Sequence, residues 1–256
     1  MPFDLIGSTA DVLAKSRRHN VLCELPPGHI ATREQAYEIL AATEDAYGFE
    51  RGGYAVVGSS ESSRRTLGLA TPIFSEIPAS CLLMGQDRFM LPVGIIGAQC
   101  EFAFSIRRTF PDAGEPITCG SVAEALLGCM PAIGILGRRT RNAFGGNEAA
   151  IADFALHAAT ICGEAVTGLA AADLARIQAD VSIDGRQVVS GRATSVMGHP
   201  LNAVAWLARE LSAPPRKLGI GDIVATGSCT IIPQVLAGQS VAADFGPLGR
   251  VDCKFH

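Results

Sequence analysis

The run Gly97-Ala98-Gln99-Cys100-Glu101-Phe102-Ala103-Phe104 alternates from residue to residue, and it constrains the fold more than any other stretch of the chain. Residues two apart on a strand share a face, so Gln99, Glu101 and Ala103 lie on one side and Cys100, Phe102 and Phe104 on the other. Glu101 thus stands on an otherwise apolar strand, and its same-face neighbour is an amide where a divalent-cation site would want a second carboxylate. Pro131-Ala132-Ile133-Gly134-Ile135-Leu136-Gly137-Arg138-Arg139 predicts a second apolar strand, with glycines where side chains would otherwise reach into a site. Gly53-Tyr54-Ala55-Val56-Val57-Gly58-Ser59-Ser60 predicts a third.

Helix signals flank these strands. Thr32 with Gln35 forms a capping-box pattern, predicting a helix to about Tyr47 that stops at Gly48. Ser121 with Glu124 repeats the signal before Ala125-Leu126-Leu127. Pro200 to Leu211 predicts a third helix, with proline in its first turn and Pro214-Pro215 beyond its end. Val181 to Val189 reads as a hairpin around Asp184-Gly185, and Gly221 to Ala225 and Val251 to Phe255 as further strands. Neither Gly52-Gly53 nor Gly145-Gly146 has the spacing or the following Lys-Ser/Thr of a phosphate loop.

The chain is 256 residues long, 48% hydrophobic and 18% charged, which is enough for a substantial core and excludes a disordered chain. A formal charge of -4 provides no basic field for nucleic acid or an anionic membrane surface. No run approaches the roughly 18 apolar residues of a spanning helix. Met1-Pro2-Phe3-Asp4 carries no basic, then apolar, leader pattern, so a cytoplasmic protein is expected. The eight cysteines include no Cys-x-x-Cys pair and read as buried thiols rather than zinc ligands or disulfides, Cys100 and Cys229 being the two expected beside the site.

The three strands, together with Ser190-Gly191-Arg192, Gly198-His199-Pro200-Leu201-Asn202-Ala203 with Trp206-Leu207-Ala208, Gly221-Asp222-Ile223-Val224-Ala225-Thr226-Gly227-Ser228 and Ala243-Asp244-Phe245-Gly246-Pro247-Leu248-Gly249, resemble the fumarylacetoacetate hydrolase superfamily. The likeness is greatest to its branch of 2-keto-4-pentenoate hydratases and 4-oxalocrotonate decarboxylases. It implies an α+β protein with a mixed β-sheet, barrel-like core, a small N-terminal helical region over 1–50 and a catalytic body over 51–256. It also implies a homo-oligomer and an Mg2+- or Mn2+-dependent lyase that polarises a 2-oxo acid or its enol, then adds water or expels CO2.

This chain departs from that family pattern in one direction. Where the resemblance implies Glu-x-Glu, it has Gln99-Cys100-Glu101; where a third carboxylate is implied, Gly134; where Asp-Ser-Arg is implied, Gly137-Arg138-Arg139. Ala55 stands for a lysine, Asp153-Phe154-Ala155-Leu156-His157 for Asp-Asn-Ala-Ser-Ser, and Thr230-Ile231 for Thr-Gly. One carboxylate and an amide carry less charge than three carboxylates, and glycine supplies no side-chain ligand. No metal or other cofactor is therefore expected.

The residues left to carry chemistry are Glu101 and His157 as acid and base, with desolvation raising the Glu101 pKa. The bland alternatives are an ion pair of Glu101 with Arg138 or Arg139, and a hydrogen-bonded core role for His157. Arg138 and Arg139 are candidates for holding a substrate carboxylate, or equally for structural pairing. Ser59, Ser60, Ser228 and Thr230 are candidates for substrate oxygens, with turn capping as their alternative. His199 reads as a helix-start or pocket-wall residue. The expected function is a divergent hydratase/decarboxylase-type lyase acting on a small 2-oxo or enol acid without a bound divalent metal. The alternative is a non-catalytic homologue that binds a ligand or partners an active paralogue, favoured by the lost lysine and carboxylates and by the bulk at Phe154, Leu156 and Ile231.

Overall fold

The computed structural model describes residues 4–25, 30–85, 88–141, 146–212 and 216–256; Met1-Pro2-Phe3, Gly145 and Pro214-Pro215 lie outside them. In chain order the elements are α1 (Leu5–His19), α2 (Arg33–Tyr47), β1 (Arg51–Val57), α3 (Glu61–Leu67), β2 (Ile73–Pro78), β3 (Leu82–Met84), β4 (Arg88–Phe89) and β5 (Ile95–Ile106). There follow α4 (Cys119–Ala125), β6 (Leu126–Gly137), α5 (Asn147–Ala152), β7 (His157–Cys162), α6 (Ala171–Leu174), β8 (Gln178–Ile183) and β9 (Arg186–Arg192). The chain closes with α7 (Pro200–Leu211), β10 (Ile223–Ser228), β11 (Ser240–Asp244) and β12 (Arg250–Phe255).

The strands form two mixed sheets, one of seven strands in the order β2-β1-β10-β5-β6-β7-β3 and one of five in the order β4-β12-β11-β8-β9. The larger is curled into a half-barrel, as the α+β expectation requires. Its centre is the antiparallel ladder of β5 and β6, which runs from Ile95 opposite Gly137 to Ile106 opposite Leu126. Cys100, Phe102, Phe104, Ile133 and Ile135 project to one face and pack with Val224, the α7 side chains Leu201, Val204 and Leu207, and residues of the five-stranded sheet. Phe102 meets Phe245 edge to face, with ring centroids 5.1 Å apart, and this contact joins the two sheets.

The other face is floored by small side chains. Ala55, Ala103, Ala132 and Ala225 are all buried there, covered by Leu82 and Cys81. Glu101, Gln99 and Gly134 lie on this same face by strand alternation.

Local signals hold where their chemistry is specific. Thr32 Oγ1 accepts from the Gln35 amide and α2 ends at Gly48, as predicted. His199 Nδ1 accepts from the Leu201 amide, so this histidine starts α7, whose bounds match the prediction. Asp184 and Gly185 both take positive φ, as a two-residue hairpin turn between β8 and β9 requires. One expectation is corrected: the capping box ahead of α4 is Thr118 with Ser121, so Ser121 is the third helical residue and not the cap, and Leu126-Leu127 already belong to β6. Leu5–His19 was not legible as a helix from its own residues; it is capped by Asp4, whose Oδ1 accepts from the Gly7 amide at 3.0 Å, and closed by Asn20 in the left-handed conformation. All eight cysteines are free thiols. Among the described residues, no helix is long and apolar enough to cross a membrane.

Phe102 is fully buried at the junction of the sheets, so Phe102→Ala is expected to cost about 3–5 kcal/mol, measured as a lower urea midpoint with an unchanged slope. A loss below 1 kcal/mol would show that the sheets do not depend on this contact.

Candidate active site

Glu101 is 1% exposed and makes no ion pair among the described residues, so the pairing with Arg138 or Arg139 weighed above is not formed. Its Oε2 accepts from the Gly227 amide at 2.7 Å and lies 3.5 Å from Gln99 Nε2. Gly227 has φ +79, and a Cβ there would fall 2.6 Å from Ser59 Oγ and 2.7 Å from the Val56 carbonyl oxygen. Glycine is therefore what lets this loop turn its N–H onto the carboxyl. Burial is the main influence on Glu101 and pushes its pKa up to about 8 against the opposing hydrogen bond from Gly227, so the group is a neutral carboxylic acid at pH 7.

Gly134, directly opposite Gln99 on β6, controls where that carboxyl lies. A Cβ on Gly134 would sit 2.1 Å from Glu101 Oε1 and 3.1 Å from Gln99 Nε2. The carboxyl thus fills the volume that a side chain at 134 would need. Two neighbouring polar atoms are buried without a hydrogen-bond partner: Gln99 Oε1 and Ser59 Oγ.

The remaining candidates separate into two groups. Ser228 stands opposite Glu101 in the β10–β5 ladder, and its hydroxyl lies 3.3 Å from that of Thr230. Ser60 caps α3, accepting from the Ser63 amide, which realises the turn-capping alternative. His157 does not meet Glu101. The rows Glu101–Ala132–Cys162 and Gly97–Leu136–His157 place them four residues apart along the sheet, about 13 Å, and two strands across.

His157 is 1% exposed, with Nε2 3.1 Å from Thr160 Oγ1 and Nδ1 unpartnered. Burial, then the charges of Arg17 and Arg139, holds it well below the ordinary histidine range, and it is neutral. Thr160 shares a row with Gly134 and Gln99, a relation that only the three-strand register reveals.

Arg139 is not available to a substrate carboxylate. Its Nε pairs with Asp153 Oδ1, its Nη2 donates to the Asp153 carbonyl at 2.6 Å, and its Nη1 donates to the His157 carbonyl at 2.9 Å. The substrate role expected for it is corrected to a structural one, because both ions are buried and each compensates the other.

Between them, Phe154, Ala155 and Leu156 take φ values of 51, 47 and 63°, a left-handed turn without glycine, fixed by a 2.8 Å bond from Ser75 Oγ to the Phe154 carbonyl. Phe154 and Leu156 are buried, as the bulk argument expected, but Ile231 is 53% exposed and fills nothing. Arg138 lines a cleft of about 200 Å3 with Arg17, Asn20, Tyr47 and Cys81. Arg17 donates there to the His157 carbonyl at 3.0 Å and lies 4.3 Å from the Phe154 ring centroid. Neither this cleft nor the other surface clefts lined by Arg33 and Trp206, by Leu126 and Leu174, by Glu164 and Asp252, or by Tyr37 and Arg216 has Glu101, Gln99 or His157 in its wall.

Divalent magnesium or manganese does not fit this donor set. Among the described residues there is no group of three His, Cys, Asp or Glu that could hold a metal. Position 134 supplies no side-chain ligand, and the Glu101 carboxyl oxygen occupies the volume one would need.

No family model matches the chain. Curated relatives do. The chain is 25% identical over 218 residues to the 4-oxalocrotonate decarboxylase of Pseudomonas putida, covering 80% of each protein. It is 27% identical over 234 residues to a 2-keto-4-pentenoate hydratase of Burkholderia vietnamiensis, covering 90% of this chain and 87% of that one. Among solved structures, the 4-oxalocrotonate decarboxylase from Pseudomonas putida G7 complexed with magnesium and adipate superposes with a TM-score of 0.86 at 19% identity, over 100% of this chain and 99% of that one. The fumarylpyruvate hydrolase from Pseudomonas aeruginosa, in complex with Mn2+ and pyruvate, gives 0.60 at 15% identity over 81% and 89%. The fold is that of the fumarylacetoacetate hydrolase superfamily. The sequence relatives are 2-keto-4-pentenoate hydratases and 4-oxalocrotonate decarboxylases, which are enzymes and form the branch that the sequence motifs resemble.

The raised Glu101 pKa has a defined sign in stability. Between its ordinary value of 4.5 and about 8, the folded chain keeps a proton that the unfolded chain has lost, so stability falls as pH rises through that window. Glu44, pushed up to about 8 by burial and then by Glu76, adds the same trend. Glu101→Gln should remove its share, so the loss of unfolding free energy from pH 6 to pH 8 should shrink by about 2 kcal/mol relative to the parent protein. Equal losses in the two proteins would show that Glu101 is ionised at neutral pH.

Proposed function

We propose that this protein is a hydratase- or decarboxylase-type lyase that works by proton transfer at Glu101, on a small 2-oxo or enol acid, without a tightly held divalent cation. The observation that carries the reading is a carboxyl kept neutral by burial, beside two unpartnered buried polar atoms, Gln99 Oε1 and Ser59 Oγ. A neutral acid can protonate the nucleophilic carbon of an enol. As the carbonyl forms, the enol hydroxyl proton leaves to solvent, and the carboxylate left behind, still holding the Gly227 N–H, takes a proton back from solvent. Ser59 Oγ can donate to the oxo oxygen and Gln99 Oε1 can accept from the enol hydroxyl, while the alanine floor suits a short carbon skeleton.

Arg138 and Arg17 line a separate cleft, six residues along β6 from the row of Glu101, and do not face the same short substrate as Glu101. His157 acts as a neutral hydrogen-bonding group tied to Thr160, and Ser228 with Thr230 shapes the loop that presents Gly227. Entry to the site requires Leu82 and Cys81 to move off the small face. We further take the protein to be a cytoplasmic homo-oligomer with a helical entry region over 1–50 and a catalytic body over 51–256.

One observation favours the second reading, a non-catalytic partner of an active paralogue: Glu101 is 1% exposed and lines none of the surface clefts described above.

The test is exchange of the C3 protons of 2-oxobutanoate in D2O with EDTA present, followed by NMR. The enzyme reading expects catalysed exchange that falls by at least about 100-fold in Glu101→Gln. No exchange above buffer would favour the partner reading. Saturable thermal stabilisation by Mg2+ or Mn2+ would overturn metal independence, since a bound ion raises the melting temperature.

A further inference from the structure

A second cleft, of about 600 Å3, lies on the opposite side of β2 from Glu101, between α2 and the chain beyond α7. Its inner wall is aromatic: Tyr37 stacks on Phe74 at 4.9 Å, and Trp206, in the wall of a neighbouring cleft, meets Phe74 edge to face at 6.1 Å. Phe74 pairs with Val56 in the ladder, whereas Ser75, pairing with Ala55, points to the small face. The cleft is therefore separated from the candidate active site by the thickness of the sheet.

Two cations border it, in different states. Arg33 is neutralised by Glu210 at 3.0 Å. Arg216 has no carboxylate within ion-pair distance among the described residues; its guanidinium sits 6.0 Å over the Phe74 ring, and its buried Nε has no hydrogen-bond partner. The Tyr37 hydroxyl is a second buried polar atom in the same wall without a partner. Glu34 and Glu38 are exposed at the rim and do not reach Arg216. A buried N–H donor without an acceptor costs stability unless something supplies one. Here that donor is charged, and the edges of Tyr37 and Phe74 lie beside it, their faces taken by each other, by Arg33 and by Arg216.

We propose that this cleft binds a small monocarboxylate with a flat aromatic body, the carboxylate accepting from Arg216 Nε and the Tyr37 hydroxyl and the ring lying against the edges of Tyr37 and Phe74. Its volume is in the range of small-ligand sites. The site is independent of Glu101 and of the reaction proposed there.

Trp206, the one tryptophan of the chain, reports on it through its contact with Phe74. Titration with 3-phenylpropanoate should give a saturable change in Trp206 emission. Its neutral amide and acetate should each bind at least about tenfold more weakly, the first lacking charge and the second the ring. Arg216→Gln should weaken 3-phenylpropanoate binding by at least about tenfold; Tyr37→Phe, which keeps the stacking, should weaken it by less. Glu101→Gln should leave it unchanged. An unsaturable response, equal binding of the amide or acetate, full affinity in both Arg216→Gln and Tyr37→Phe, or loss of binding in Glu101→Gln would each overturn the proposal.

Discussion

The pairing of β5 with β6 is the constraint on which the rest of this molecule depends. Because side chains alternate across a ladder, its register decides in one step what enters the main core and what faces the small side of the curled sheet. Phe102 and Phe104 go one way and hold α7 and the second sheet; Glu101 and Gln99 go the other, onto alanines. A slip of one residue would put a carboxyl among phenylalanines. The same ladder therefore specifies both the fold and the environment that strips Glu101 of its charge.

That environment is electrostatic before it is chemical. Glu101 has one backbone donor and no cation, and burial outweighs that hydrogen bond. Two arginines lie farther along the sheet, but Arg139 is matched to Asp153, and Arg17 is turned to the His157 and Ala158 carbonyls and to the rings of Phe154 and Tyr47. Positive charge gathers behind the His157 backbone and not around the glutamate, so the two candidate proton carriers are both neutral for the same reason, loss of water.

Much of this was legible in the sequence, where the signal was local or alternating. The face assignment of Glu101, Gln99 and Cys100 follows from period two alone, and the bounds of α2 and α7 follow from cap chemistry. Register across strands was not legible. Nothing in the linear order tells that Thr160 stands in the row of Gln99, that His157 lies far from Glu101, or that Arg139 folds back on Asp153. The start of α4 was misread because Thr118-x-x-Ser121 also closes a capping box, with serine in the place usually held by glutamate or glutamine. The orphaned atoms of Ser59, Gln99, Tyr37 and Arg216 exist only once the chain has packed.

The interlock of Gly134 and Glu101 bears on substitution as well as on chemistry. While the Glu101 carboxyl occupies the volume beside Gly134, even a methyl group at that position collides with it. A side chain at 134 and the present position of the Glu101 carboxyl therefore exclude each other, so any substitution there moves the glutamate. The glutamate would have to swing away first, and with glutamine at 99 no second carboxylate would be waiting.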